Sequence, residues 1–251
     1  MQGAFRARYA QGGFIMFKFF AKITESDGTY YVMTRQGYIA LAILCAVAIL
    51  LTAIVVGKKQ ETGKMINARQ LAFCGISLAL AFTISSLPFL KIHLPMGGAV
   101  TLFSMFLICY VGYLYGIRIG LLTAFAYSLL QFWDGANYVL SPFQVCCDYI
   151  LAFTALGLAG LFMGKKAGMT IGYIVGCMVR GLFHTIGGYL YWMDYMPESF
   201  PQSLRFLYPV IYNYSFILAE MVLTIIVINL PPVKKALVRV GDMATSSING
   251  L

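Results

Sequence analysis

Asp148 and the phenol of Tyr149 stand in an otherwise apolar stretch, and Arg180 and His184 lie four residues apart in the next apolar run. Trp192, Tyr208, Asn213 and Glu220 follow. A buried carboxylate costs roughly several kcal/mol unless a partner or a cationic ligand compensates for it. Three chemistries answer that cost. Asp148 and His184 could form an acid/base pair; Asp148 could pair with Arg180; or Asp148 could be the counter-ion of a cationic small molecule. Catalysis is the weakest, because no activated Ser or Cys stands in a recognisable motif and no metal triad has usable spacing. One anion, several aromatic faces including Tyr138 and Tyr191, and an amide suit a flat, nitrogen-rich cation that stacks on aromatic rings. Mutual neutralisation is the available account of Arg180 and Glu220. The six cysteines lie in or beside apolar runs and read as small packing residues, with Cys146 and Cys147 too close for a structural disulfide.

The elements that position these groups are membrane spans. The chain has 251 residues, 60% of them hydrophobic and 11% charged, against about 25% charged in a soluble domain. Residues 1–36 read as an N-terminal tail, disordered or preceding the true start at Met33. An additional transmembrane helix is expected over 37–57 and a linker over 58–66. Six further spans make a core over 67–231, and a basic tail follows over 232–251. The core spans are expected at 67–87, 100–115, 117–132, 142–163, 170–191 and 207–230. The third and fourth of the seven spans meet at a tight turn where Gly112, Gly116 and Gly120 are four apart. Ala68, Ala72, Gly75 and Ala79 recur along one helix face, a pattern that permits close helix–helix approach in lipid.

Loop charges orient the spans. Residues 57–70, Arg118, Lys165-Lys166 and the tail after Pro231 carry a net +8, whereas the alternate loops carry −1. The first set is therefore expected on the cytoplasmic side, with the C-terminus inside. The same threading accounts for the +9 net charge without nucleic acid. It also places Asn137–Ser141, the upper end of the Asp148 helix, and His184, Trp192, Tyr208 and Asn213 together near the outer face.

From Ala136 through Leu161 the chain resembles the thiamine-specific substrate-binding (S) components of energy-coupling factor vitamin transporters. The likeness spans residues 65–235 and includes the Phe183-His184 to Trp192 and the Tyr208 to Asn213 spacings. It implies an all-α membrane protein: a six-helix S-component core, here preceded by one additional N-terminal helix, in a prokaryotic plasma membrane. It implies high-affinity thiamine capture at the extracellular face for ATP-driven uptake, with no enzymatic activity, cofactor or metal of its own. The partners implied are a transmembrane coupling subunit and two ATPase subunits, in keeping with the absence of a phosphate-binding Gly-Lys-Ser/Thr loop. By position, the family's pocket residues fall on Tyr138, Asp148, Tyr149, His184, Trp192, Tyr208 and Asn213. The coupling-subunit docking face falls on Ala68, Ala72, Gly75 and Ala79. Two features depart from the family: Asp148 stands where relatives can carry the longer glutamate, and Met96-Gly97-Gly98 replaces a loop aromatic. An S component for another vitamin is the nearest alternative.

Overall fold

The computed structural model describes residues 21–24, 30–36, 39, 43, 68–93, 99–134 and 139–246. The expected additional span and its linker fall almost entirely outside the described residues. Within the N-terminal region, strands β1 (Ala21–Thr24) and β2 (Tyr30–Met33) pair antiparallel. Among the described residues five helices are long and apolar enough to cross a membrane.

α1 (Ala68–Ser86) opens the core and is followed by a short ribbon, β3 (Ile92–His93) paired with β4 (Ala99–Val100). α2 (Ser104–Leu130) consists of two helical arms that meet at Gly116, whose φ of 85° lies in the region that only glycine enters freely. In a straight helix Gly112 and Gly120 would be about 12 Å apart. Instead, a Cβ placed on Gly120 would sit 2.7 Å from Cα of Gly112, so α2 doubles back into two antiparallel arms. The five spans are therefore six transmembrane segments, as the glycine spacing requires. At 1.5 Å per residue the arms rise only about 18 and 21 Å, short of the roughly 30 Å hydrocarbon core.

α3 (Phe143–Phe162) packs along this hairpin. Its second half, Ala155–Phe162, winds as a 3-10 helix. In such a helix residues three apart eclipse, which lines Gly157 and Gly160 along one edge. That edge meets the backbone of Gly120 and of Gly116-Ile117 with no room for a side chain on either glycine. α4 (Gly168–Gly187) and α5 (Tyr208–Asn229) complete the bundle around a core that includes Ile108, Tyr127, Leu156, Tyr173 and Ile217. The segment after Pro231, read from sequence as a basic tail, forms a sixth helix, α6 (Pro231–Thr245).

Two ends result. Met163 lies against Gly116, and Tyr115 Oη donates to the carbonyl of Ala244, so the Gly116 turn, the 163–167 loop and α6 share one end. Asp148, Trp192 and Tyr208 stand at the other.

Candidate functional site

The distal end of the bundle is irregular where the expected site residues emerge. Asp148 lies in a π-helical turn, Cys146–Leu151, within α3. Trp192 closes a second π-helical turn, Gly188–Trp192, that continues α4. Single π turns of this kind re-aim side chains and recur at functional sites.

Asp148 is buried, with 7% of its surface exposed. Its Oδ2 accepts from Nε2 of Gln144 at 2.7 Å and from Nε1 of Trp192 at 2.8 Å. Its Oδ1 stands 3.6 Å from Nδ1 of His184, within ion-pair range but longer than a hydrogen bond. Trp192 also leans on Tyr195, their ring centroids 5.3 Å apart. Burial of the acid is thus compensated by two neutral N–H donors. One glycine makes this possible: a Cβ on Gly187 would lie 2.3 Å from Oδ1 of Asp148.

The direct Asp148–Arg180 pair weighed from sequence does not form. Arg180 donates from Nε to Nε2 of His184 at 3.3 Å, and its guanidinium lies over the Phe153 ring at 4.3 Å. Arginine only donates, so Nε2 must be the bare ring nitrogen and the proton resides on Nδ1, facing Asp148. His184 therefore sits between a cation and an anion, held edge-on by Phe153 and Phe216.

Nor does Arg180 pair with Glu220. Oε2 of Glu220 accepts from the backbone N–H of Thr101 at 2.8 Å and from its hydroxyl at 3.0 Å. Glu220 is twelve residues into α5, about 18 Å from its start at 1.5 Å per residue. The non-helical entry to α2 therefore reaches this depth, where an unpaired backbone N–H is costly, and Glu220 supplies the acceptor. The carboxylate also complements the positive end of α2, whose preceding residue provides no side-chain cap.

Tyr208 is buried at the head of α5, against Phe200 and Tyr212. Asn213 donates from Nδ2 to the carbonyls of His184 and Pro209, which clamps α5 onto α4 beneath the site. Tyr149 turns toward Phe132, with ring centroids 4.9 Å apart. The structure thus brings Asp148, His184 and Trp192 into one contact network, with Asn213 joined through the His184 carbonyl. Tyr208 and Tyr149 sit in neighbouring aromatic clusters. Tyr138 and the 96–98 loop tip lie outside the described residues. The residues of the small-side-chain face of α1, Ala68, Ala72, Gly75 and Ala79, are all exposed, and among the described residues nothing lies within 4 Å of where a Gly75 side chain would begin.

Gln144 and Gly187 were not anticipated from sequence. Gln144 precedes Asp148 by four residues, the spacing of same-face helix neighbours, and Ser141 Oγ accepts from its backbone N–H. Gly187 had no comparable signal, since its role is a contact between helices far apart in sequence.

A family model described as "Thiamine transporter protein (Thia_YuaJ)" matches residues 71–239. "Thiamine transporter ThiT" of Bacillus subtilis is 27% identical over 166 residues, covering 61% of this chain and 84% of that relative. The protein of the same name from Lacticaseibacillus paracasei is 31% identical over 107 residues, covering 38% of this chain and 52% of its own length. A solved structure of ThiT from Listeria monocytogenes superposes with a TM-score of 0.52 at 20% identity, covering 71% of this chain and 94% of that one.

Proposed function

The chain belongs to the thiamine transporter protein family, and on that premise we propose that the site built around Asp148 holds thiamine, captured from the extracellular side. The chain is a multi-pass, all-α membrane protein whose family serves thiamine transport rather than catalysis. The acid/base use of Asp148 and His184 is therefore set aside.

The observation that carries the reading is the state of Asp148. Its carboxylate is oriented by Gln144 and Trp192 and, among the described residues, no Lys or Arg side chain pairs with it, since Arg180 stops at the far nitrogen of His184. A fixed, incompletely neutralised anion beside indole and imidazole rings is suited to a permanently charged aromatic cation. Thiamine's thiazolium is one. Tyr138, Tyr149, Tyr208 and Asn213 complete the proposed binding set, with Asn213 placing His184 through the backbone. Extracellular capture rests on the basic residues grouped at the opposite end of the bundle.

Uptake needs an energy source, and this reading assigns it to a transmembrane coupling subunit carrying two ATPase subunits. The S component itself then requires no cofactor. The exposed face of Ala68, Ala72, Gly75 and Ala79 is the proposed docking surface, flat enough for backbone approach in lipid.

Two measurements test the proposal. The protein has two tryptophans, Trp133 and Trp192, and the indole of Trp192 is bonded to the proposed counter-ion. Thiamine is expected to quench the fluorescence of the purified protein with a nanomolar Kd, whereas riboflavin and biotin leave it unchanged. Saturable quenching by another vitamin alone would refute the thiamine assignment. Separately, Ala72→Leu is expected to leave the quenching titration intact but to reduce coupled uptake at least about tenfold by blocking close approach. Uptake unchanged in that variant would remove α1 as the docking surface.

A further inference from the structure

α6 begins at Pro231-Pro232, directly after α5, and no role in the thiamine site falls to it. One face is fastened to the bundle. Tyr110 Oη donates to the carbonyl of Leu237, Tyr115 Oη donates to that of Ala244, and Gly241 lies against Tyr110 and Leu114. Arg69, in the first turn of α1, donates to the carbonyl of Met243 and to Ser246 Oγ, closing the helix's C-terminal end.

The remaining surface has two characters. At about 100° per residue, Lys235, Arg239 and Asp242 project opposite the fastened face, with Lys234 on one shoulder. Ala236, Val240 and Met243 form an apolar flank on the other side, and all of these residues are exposed. Val238, also exposed, stands between Lys234 and Asp242 and is the one apolar interruption of the basic side. A helix lying in the plane of a membrane surface needs this arrangement: an apolar flank for acyl chains and a basic pole at the level of the headgroups. Lys165 and Lys166 belong to the same end of the bundle.

We infer that α6 is an interfacial helix whose Lys234, Lys235 and Arg239 bind the phosphate groups of anionic lipids. The occupant is a lipid rather than a soluble protein because the apolar flank and the basic pole are adjacent on a helix that starts where the last span ends. It is anionic because the pole carries three cations against the single carboxylate of Asp242. The contact also has a structural consequence: through Arg69, headgroup binding on α6 holds the first turn of α1. The inference does not depend on the ligand of the Asp148 site.

The test uses the full chain in nanodiscs of equal parts phosphatidylglycerol and phosphatidylcholine, followed by native mass spectrometry. The wild type is expected to retain phosphatidylglycerol preferentially. K234Q/K235Q/R239Q is expected to lose at least about threefold of that retention, whereas K165Q/K166Q keeps it, because clustered cations beside an apolar flank bind headgroups better than charge in an open loop. Equal retention by the triple variant, or an equal loss in the loop variant, overturns the inference. Depth is read separately by adding tryptophan. Val240→Trp is expected to be quenched by lipids brominated on the acyl chain, and Arg239→Trp is not. A Val240→Trp signal insensitive to brominated lipid, as for a flank facing water or a protein, also overturns it.

Discussion

Replacing Asp148 with asparagine is expected to raise the Kd for thiamine at least about tenfold, a loss of about 1.4 kcal/mol. The amide is nearly isosteric, and its oxygen can still accept from Gln144 and Trp192. Its NH2 group would then face the Nδ1–H of His184, whose protonation is set by Arg180. Charge and that one contact change, while the packing stays. A charge pair at 4 Å and an effective dielectric of 20 is worth about 4 kcal/mol, so tenfold is a floor that allows for imperfect distance and for the nearby Arg180. Gly187→Ala separates charge from placement. It keeps the carboxylate but puts a methyl group where Oδ1 now lies, so the affinity is expected to fall while the anion remains. Thiamine titrations of the two purified variants check both effects. Wild-type affinity in Asp148→Asn would end the counter-ion role.

Gly160→Ala is expected to destabilise the bundle by about 1–3 kcal/mol, towards the upper end, since an added methyl group in a filled contact forces neighbouring backbone to move. Its Cβ would lie 2.4 Å from the backbone of Gly116 and Ile117, and no side-chain rotamer can relieve a clash between backbones. The affected contact is the one that holds the turn of α2 against α3, on which the position of the Asp148 helix depends. Gly75→Ala is the matched control. That site is exposed and open among the described residues, so the substitution is expected to be neutral or to stabilise by up to about 1 kcal/mol through helix propensity. Thermal unfolding in detergent compares the two variants. A Gly160→Ala protein that unfolds at the wild-type temperature would show that the α2–α3 contact can relax.

Much of the core was legible from pattern alone, because lipid imposes simple rules. Uncharged runs of spanning length locate helices, and α1, α3, α4 and α5 begin and end within a few residues of the expected bounds. Gly112, Gly116 and Gly120 announced the α2 turn because only a backbone without side chains can fold so tightly. The cost of a charge in lipid singled out Asp148, Arg180, His184 and Glu220 before any fold was known. What each charge touches was not legible. Arg180 and Glu220 look like natural partners on adjacent spans, yet one serves His184 and the other the backbone of Thr101. That choice depends on how far the connection before α2 enters the bundle, a distance that composition does not encode.

By itself, then, the sequence determined that the chain crosses a membrane repeatedly, where the core spans lie, and which few polar groups need an explanation. Those properties follow from transfer energies, which are additive along a chain. Tertiary structure alone decided that Asp148 is held by Gln144 and Trp192, that Gly187 must lack a side chain, that His184 presents its Nδ1 proton, and that the basic tail is a helix strapped to α1. These are matters of distances between helices remote in sequence. There a single ångström separates a hydrogen bond from a clash, and no local pattern records which of the two the folded chain adopts.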